Sequence, residues 1–155
     1  MAKWYEDRIS SAIAGTNPMV MVELQGGYAA FGDVQFLPGY SVLLPKRNVA
    51  SLNDLNISER IAFLSDMSLL GDAILSACKA KRINYDILGN TDGFLHAHVF
   101  PRYQAEDQKR LKKPVWLYSP DHWSDSKYRY NPQKHDRLRN KITDYLIEVN
   151  GQQLF

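Results

Sequence analysis

The 155-residue chain has a single cysteine, Cys78. It can therefore form no internal disulfide, and its stability must come from a packed core. No apolar run approaches the ~20 residues needed to span a bilayer. The formal net charge is only +2, which gives no large basic field calling for nucleic acid, although a local basic patch stays open. The stretch MAKWYEDRIS has early acids and no apolar run, unlike a secretory leader. These absences make a cytoplasmic protein the expectation, with neither membrane nor nucleic acid as partner. There is also no repeat, low-complexity tract or linker. One domain over residues 1–155 is expected, with a core over about 19–103 and a C-terminal loop and helix over 104–155.

What is present reads as alternating short elements. Apolar residues at helical spacing predict a helix over Trp4 to Ala14, stopped by Gly15. Met19 to Leu24 and Tyr28 to Asp33 read as a hairpin about Gly26-Gly27. Tyr40 to Pro45 is apolar on both sides and so a central strand. Asn56 with Glu59 three residues on forms a capping box, opening a helix that should run to about Lys81. Its apolar residues Ile61, Leu64, Met67, Leu70, Ile74 and Ala77 recur every three or four positions. Strands over Ile83 to Gly89 and Phe94 to Phe100 follow, joined by a turn at Asn90 to Gly93. Gln104 to Tyr130 has little regular pattern. Asn131-Pro132 then caps a last helix with Leu138, Ile142, Tyr145, Leu146 and Val149 on one stripe. This order predicts an α+β fold, an antiparallel sheet of about five strands with packed helices.

The chemistry concentrates at Gly93-Phe94-Leu95-His96-Ala97-His98-Val99-Phe100-Pro101-Arg102. Strand alternation puts His96 and His98 on one face and Leu95, Ala97 and Val99 in the core. Two imidazoles side by side can bind a metal, handle a phosphate, or simply occupy a polar sheet face. For phosphate, one neutral ring nitrogen attacks phosphorus while its neighbour donates to a phosphoryl oxygen. Zinc needs a third protein ligand, and no second His/Cys/Glu cluster stands out. His122 and His135 are isolated and read as surface residues. Taken alone, Asn90 is a turn residue, Asp33 a strand end and Phe31 a core ring.

The order Phe31-Gly32-Asp33, Pro38-Gly39-Tyr40 through Pro45-Lys46-Arg47, a long helix, then Asn90-x5-His96-x-His98-x-x-Pro101-Arg102 resembles the histidine triad family. The likeness covers about residues 20 to 103. It is nearest to bacterial members that hydrolyse dinucleoside polyphosphates or are general nucleotide-binding triad proteins. The resemblance implies a nucleotide ligand, with His96 as nucleophile toward the α-phosphorus and His98 and Asn90 on the phosphate oxygens. It places Asp33 on the ribose hydroxyls and Phe31 with Val34 beside the base. It implies a homodimer and no required cofactor, with Mg²⁺ accompanying a polyphosphate substrate. Two positions depart from the pattern. Phe94 stands at the first triad position, and Tyr40 follows Pro-Gly where many members have histidine. The implied activity is therefore nucleotidyl hydrolysis or transfer, on a dinucleoside polyphosphate or a phosphoramidate. The alternatives are a non-catalytic nucleotide sensor or a metal enzyme using both histidines. The basic run Lys109, Arg110, Lys112, Lys113, followed by Trp116 and Tyr118, reads as a solvated loop whose aromatics pack on the domain. Its alternative roles are to stack bases and track phosphates, as aromatics interleaved with lysines can, or to border the substrate pocket.

Overall fold

Five antiparallel strands form one sheet in the order β1-β2-β3-β5-β4. They are β1 (Val20–Glu23), β2 (Gly27–Phe31), β3 (Ser41–Pro45), β4 (Arg82–Asp86) and β5 (Ala97–Arg102). The computed structural model describes residues 2–152; residue 1 and residues 153–155, the ends of the expected domain span, lie outside the described residues. Three helices pack on the sheet: α1 (Arg8–Ile13), α2 (Ile57–Ala77) and α5 (Pro132–Gln152). Two single-turn helices, α3 (Gln108–Leu111) and α4 (Asp121–Ser124), lie in the C-terminal excursion. The expected α+β sheet is thus the observed one.

Register separates the two faces of the sheet. Tyr28 pairs with Leu44, and Val42 pairs with His98, so these residues share a face. Ala29, Leu43 and Ala97 align on the opposite face, as do Phe31, Ser41 and Val99. That second face meets α2 and α5, where Phe63, Leu70, Ile74, Ile142 and Leu146 are fully buried. The histidine face is covered at one end by Ile9 and Ala12 of α1, packed on Tyr28 and Leu44. At the other end Val115 joins Leu37, Tyr40 and Phe100, with Trp123 against them.

Local chemistry sets the helix ends. Asp7 caps α1 by accepting from Ser10 N at 2.9 Å, so the helix starts at Arg8 rather than at Trp4. The Asn56–Glu59 capping box opens α2 as expected. The helix stops at Ala77, short of Lys81, because Lys81 N is already bonded to Arg102 O beside the β4–β5 ladder. The stripe predicted for α2 is half right. Leu70 and Ile74 are buried, but Ile61 (66% exposed) and Leu64 face outward, and Phe63 and Leu69 take their places inside. Asn131 caps α5, its Oδ1 accepting from Gln133 N.

The last two strands pair differently from expectation. The ladder joins Arg82–Asp86 to Ala97–Arg102, so β5 continues through Pro101 and starts after His96. Residues 87–96 leave the sheet, and Leu95 N bonds Val49 O instead. The connection is therefore a broad loop rather than a tight turn at 90–93.

One close approach ties the first hairpin to α2. A Cβ on Gly26 would lie 2.3 Å from the Ala62 carbonyl carbon, and Gly26 N donates to the buried Asp66 carboxylate at 2.5 Å. Backbone on backbone cannot yield, so Gly26→Ala should cost about 1–3 kcal/mol through overpacking. A urea midpoint unchanged by this substitution would mean that the hairpin can move off the helix.

The excursion over 104–130 contains more order than its sequence pattern suggests. At its root the buried Arg102–Glu106 ion pair (4% and 5% side-chain exposure) acts as a staple. Arg102 also donates to Asn84 Oδ1 and to the carbonyls of Lys113 and Arg110. Glu106 accepts further from Tyr103 N and the Tyr118 hydroxyl. Burial pushes the Glu106 carboxyl up, but these hydrogen bonds outweigh it and leave it below the usual carboxylate range.

Candidate active site

The two histidines of the sequence motif come together on one sheet face, with ring centroids 4.7 Å apart. His96 sits just before β5 and is 7% exposed; His98 is on β5 and half-buried. Rings repeat at every second residue along this face. Phe94 lies 4.7 Å from His96, and Phe100 stacks on His98 at 5.7 Å. Phe94 thus fills the outermost position of the row with an apolar ring.

Hydrogen bonds settle which nitrogen of each ring is available. His96 Nδ1 lies 2.8 Å from the carbonyl oxygen of Phe94. A carbonyl only accepts, so Nδ1 carries the proton and donates. The neutral ring then has its lone pair on Nε2. Next to it, the Tyr40 hydroxyl meets His98 Nδ1 at 2.6 Å. Burial pushes the Tyr40 phenol well above its ordinary range, so it keeps its proton. That proton goes to His98 Nδ1, and His98 bears its own hydrogen on Nε2. The adjacent rings therefore present opposite functions, a lone pair on one and an N–H donor on the other.

Burial, with the neighbouring His96 ring adding to it, lowers the His98 pKa to about 4. This has a sign for stability. The unfolded chain protonates near 6.5 while the folded ring resists until about 4, so folding loses stability as pH falls through that window. The expected loss is about 3 kcal/mol at full effect. His98→Gln should remove this slope, as read by urea unfolding at pH 7 and pH 4. An equal slope in both proteins would assign the acid lability to other groups.

A cavity of about 260 Å³ opens beside His96. It is lined by Ser51, Leu52 and Asn53, by Leu88 and Gly89 of the 87–96 loop, and by Phe94. Over His98 lies Trp116, at 4.8 Å between centroids. Its indole N–H donates to Asp86 Oδ2, and its ring stacks on Trp123 at 5.0 Å.

The remaining residues singled out from sequence are more scattered. Asn90 is exposed on the loop, one residue past the cavity lining. Asp33 is exposed and held by two hydrogen bonds from Arg8 of α1, at 3.1 and 2.5 Å. Val34 forms an isolated bridge with Arg129. Phe31 is 1% exposed, on the sheet face opposite His98, and meets Tyr130 edge-on at 5.5 Å. As placed, it is a core ring rather than an open pocket wall. Tyr40, Trp116, Asp86 and Arg8 were not among the predicted site residues. Tyr40 had a signal, since it directly follows Pro-Gly before the central strand. The contacts of Arg8 and Asp86 span 25 and 30 residues and have no local signature. Among the described residues, no group of three or more His, Cys, Asp or Glu side chains gathers in a metal-like cluster.

An antiparallel sheet with two histidines at the start of a central strand, packed by a long helix, defines the class. Structural comparison places it within the histidine triad fold. A histidine triad protein of Sinorhizobium meliloti superposes with a TM-score of 0.70 at 19% identity, covering 83% of this chain and 89% of that one. A hypothetical histidine triad nucleotide-binding protein of Sulfolobus tokodaii gives 0.68 at 14%, covering 91% of each. The diadenosine triphosphate hydrolase of Plasmodium falciparum gives 0.60 at 17%, covering 84% of this chain and 77% of that one. No family model matches the sequence, and a search of curated proteins found no match.

Proposed function

We propose that this chain is a nucleotidyl hydrolase or transferase acting at the α-phosphorus of a nucleoside phosphate derivative. The observation that carries the reading is the His96 Nδ1–H···O=C bond to Phe94, which leaves Nε2 as a bare nucleophile beside the His98 donor. The fold is shared with a diadenosine triphosphate hydrolase and a hypothetical nucleotide-binding protein, which supports a nucleotide ligand.

In the first step His96 Nε2 forms a bond to phosphorus, and the bond to the leaving group breaks with its electron pair. His98 Nε2–H donates to a phosphoryl oxygen as charge builds there, with Asn90, next to the cavity lining, as a second donor. Water then attacks the phosphorus of the nucleotidyl-histidine, its proton passing to solvent, and the P–N bond breaks with its electron pair returning to Nε2, which restores the imidazole. No metal is required for these steps, although Mg²⁺ would accompany a polyphosphate. Phe94 offers no proton to a leaving group. A phosphate leaving group departs as an anion without one, whereas an amine needs it. The substrate is accordingly a dinucleoside polyphosphate in preference to a phosphoramidate. Asp33 would take the ribose hydroxyls after Arg8 swings aside, and Val34, with Phe31 behind it, would back the base.

Mixing the pure protein with diadenosine tetraphosphate, with adenosine phosphoramidate in parallel, tests this. Release of AMP and an adenylyl adduct on His96 are expected, faster with the tetraphosphate. The apolar ring of Phe94 beside His96 favours a second reading, a nucleotide-binding protein without turnover. AMP binding with no adduct from either substrate would select that one.

We also propose a homodimer built on β4 and α2. β4 is an edge strand with a free ladder. Ile57, Ile61 and Leu64 of α2, Tyr85 of β4 and Leu88 are exposed, and a Cβ on Gly71 of α2 would overlap the Tyr85 hydroxyl. Light scattering should give twice the chain mass, and Ile61→Lys should shift it toward one. A wild-type monomer at micromolar concentration would refute the dimer.

A further inference from the structure

A second cavity lies away from the histidines. About 470 Å³ opens in the C-terminal excursion, lined by Asp107, Lys109, Arg110, Lys113, Tyr118 and His122. We propose that this cavity is a second binding site, for an oligophosphate chain.

Three cations face it against one carboxylate, and Asp107 already accepts from Lys109 N as the cap of α3. Among the described residues, none of the three cations is in an ion pair. Like charges gathered on one concave wall repel, and an anion seated among them relieves that repulsion. The volume exceeds what one phosphate fills, and the cations are spread over α3 and the turn after it, so a run of phosphates fits better than one.

The wall is also held in place, unlike an ordinary solvated loop. The backbone carbonyls of Arg110 and Lys113 each accept from the buried Arg102 guanidinium, at 2.8 and 2.7 Å. The Tyr118 hydroxyl donates to the buried Glu106 at 2.6 Å. Arg110 itself donates to Leu117 O and lies over the Tyr118 ring at 5.7 Å. The backbone that carries the cations and the Arg110 guanidinium are thus fixed before an anion arrives, which lowers the ordering cost of binding.

A row of rings joins this cavity to the histidines. His98 touches Trp116, Trp116 stacks on Trp123, Trp123 meets Phe36 at 4.9 Å, and Phe36 meets His122 at 5.1 Å. The occupant is either the distal phosphates of a long substrate or a separate oligophosphate. The first source rests on the nucleotidyl-transfer reading; the binding itself does not.

The test uses inorganic tripolyphosphate as probe, titrated by calorimetry at low ionic strength. The wild-type chain should bind it with an affinity that falls as salt is added. Lys109→Ala/Lys113→Ala should weaken binding at least tenfold with an unchanged circular dichroism spectrum, and Lys109→Arg/Lys113→Arg should retain it. His96→Ala should also retain it. The proposal is overturned if wild type does not bind, if the alanine pair binds equally well, or if His96→Ala removes the binding instead. Diadenosine tetraphosphate kinetics then separate the sources. A raised KM with little change in kcat in the alanine pair assigns the cavity to the substrate's distal phosphates. An unchanged KM, with tripolyphosphate binding lost, assigns it to a separate anion.

Discussion

Replacing His96 with alanine should reduce turnover of diadenosine tetraphosphate by at least about a thousandfold, because the atom that bonds to phosphorus is gone. AMP affinity should change by no more than about threefold, since the nucleophile contributes chiefly to the bond-making step rather than to ground-state binding. No neighbour can stand in. His98 has its Nδ1 occupied by the Tyr40 hydroxyl and a hydrogen on Nε2, so it has no free lone pair to offer. The adduct visible by mass spectrometry should disappear together with the turnover. Tyr40→Phe separates the roles further. It frees His98 Nδ1 and lets the ring exchange tautomers, so kcat should fall while the His96 adduct still forms. Undiminished turnover in His96→Ala would sink the nucleophile assignment outright.

The parts of this molecule visible in its sequence are those set by local rules. Strand alternation placed His96 and His98 on one face and Leu95, Ala97 and Val99 in the core, where the last three are 0–1% exposed. The Asn56–Glu59 box and the Asn131 cap were readable because a cap acts within three residues. Strand ends were misplaced where a distant partner decides them. Leu95 N finds Val49 O, and so 87–89 and 94–96 leave the ladder although their pattern suits a strand. In α2 the apolar spacing is genuine but serves two sides of the helix, and periodicity alone does not tell core from a second surface. Asp33 was found by its place in a motif, yet its partner Arg8 lies in another element. The basic run at 109–113 reads as a solvated loop. Only the buried Arg102, donating to the Arg110 and Lys113 carbonyls, turns it into a fixed wall.

That staple carries the largest expected effect on stability. Arg102→Met leaves the Glu106 carboxylate buried without its cation and strands the Lys113 and Arg110 carbonyls, at a cost of about 3–5 kcal/mol. Glu106→Gln should cost less, since Arg102 keeps its bonds to Asn84 and to both carbonyls. The double variant should recover part of the loss, because the unpaired carboxylate is then neutralised. The root of the excursion bears on the site as well. With Arg102 gone, residues 106–118 lose their anchor, and Trp116 should move off His98 and away from Trp123. Tryptophan emission should therefore shift to longer wavelength in Arg102→Met before any global unfolding, and much less in Glu106→Gln. Urea titration of the four proteins gives the coupling energy. Coupling near zero, with unchanged emission, would show that the ring cluster of Phe36, Tyr118 and Trp123 holds the excursion by itself and that the ion pair is dispensable.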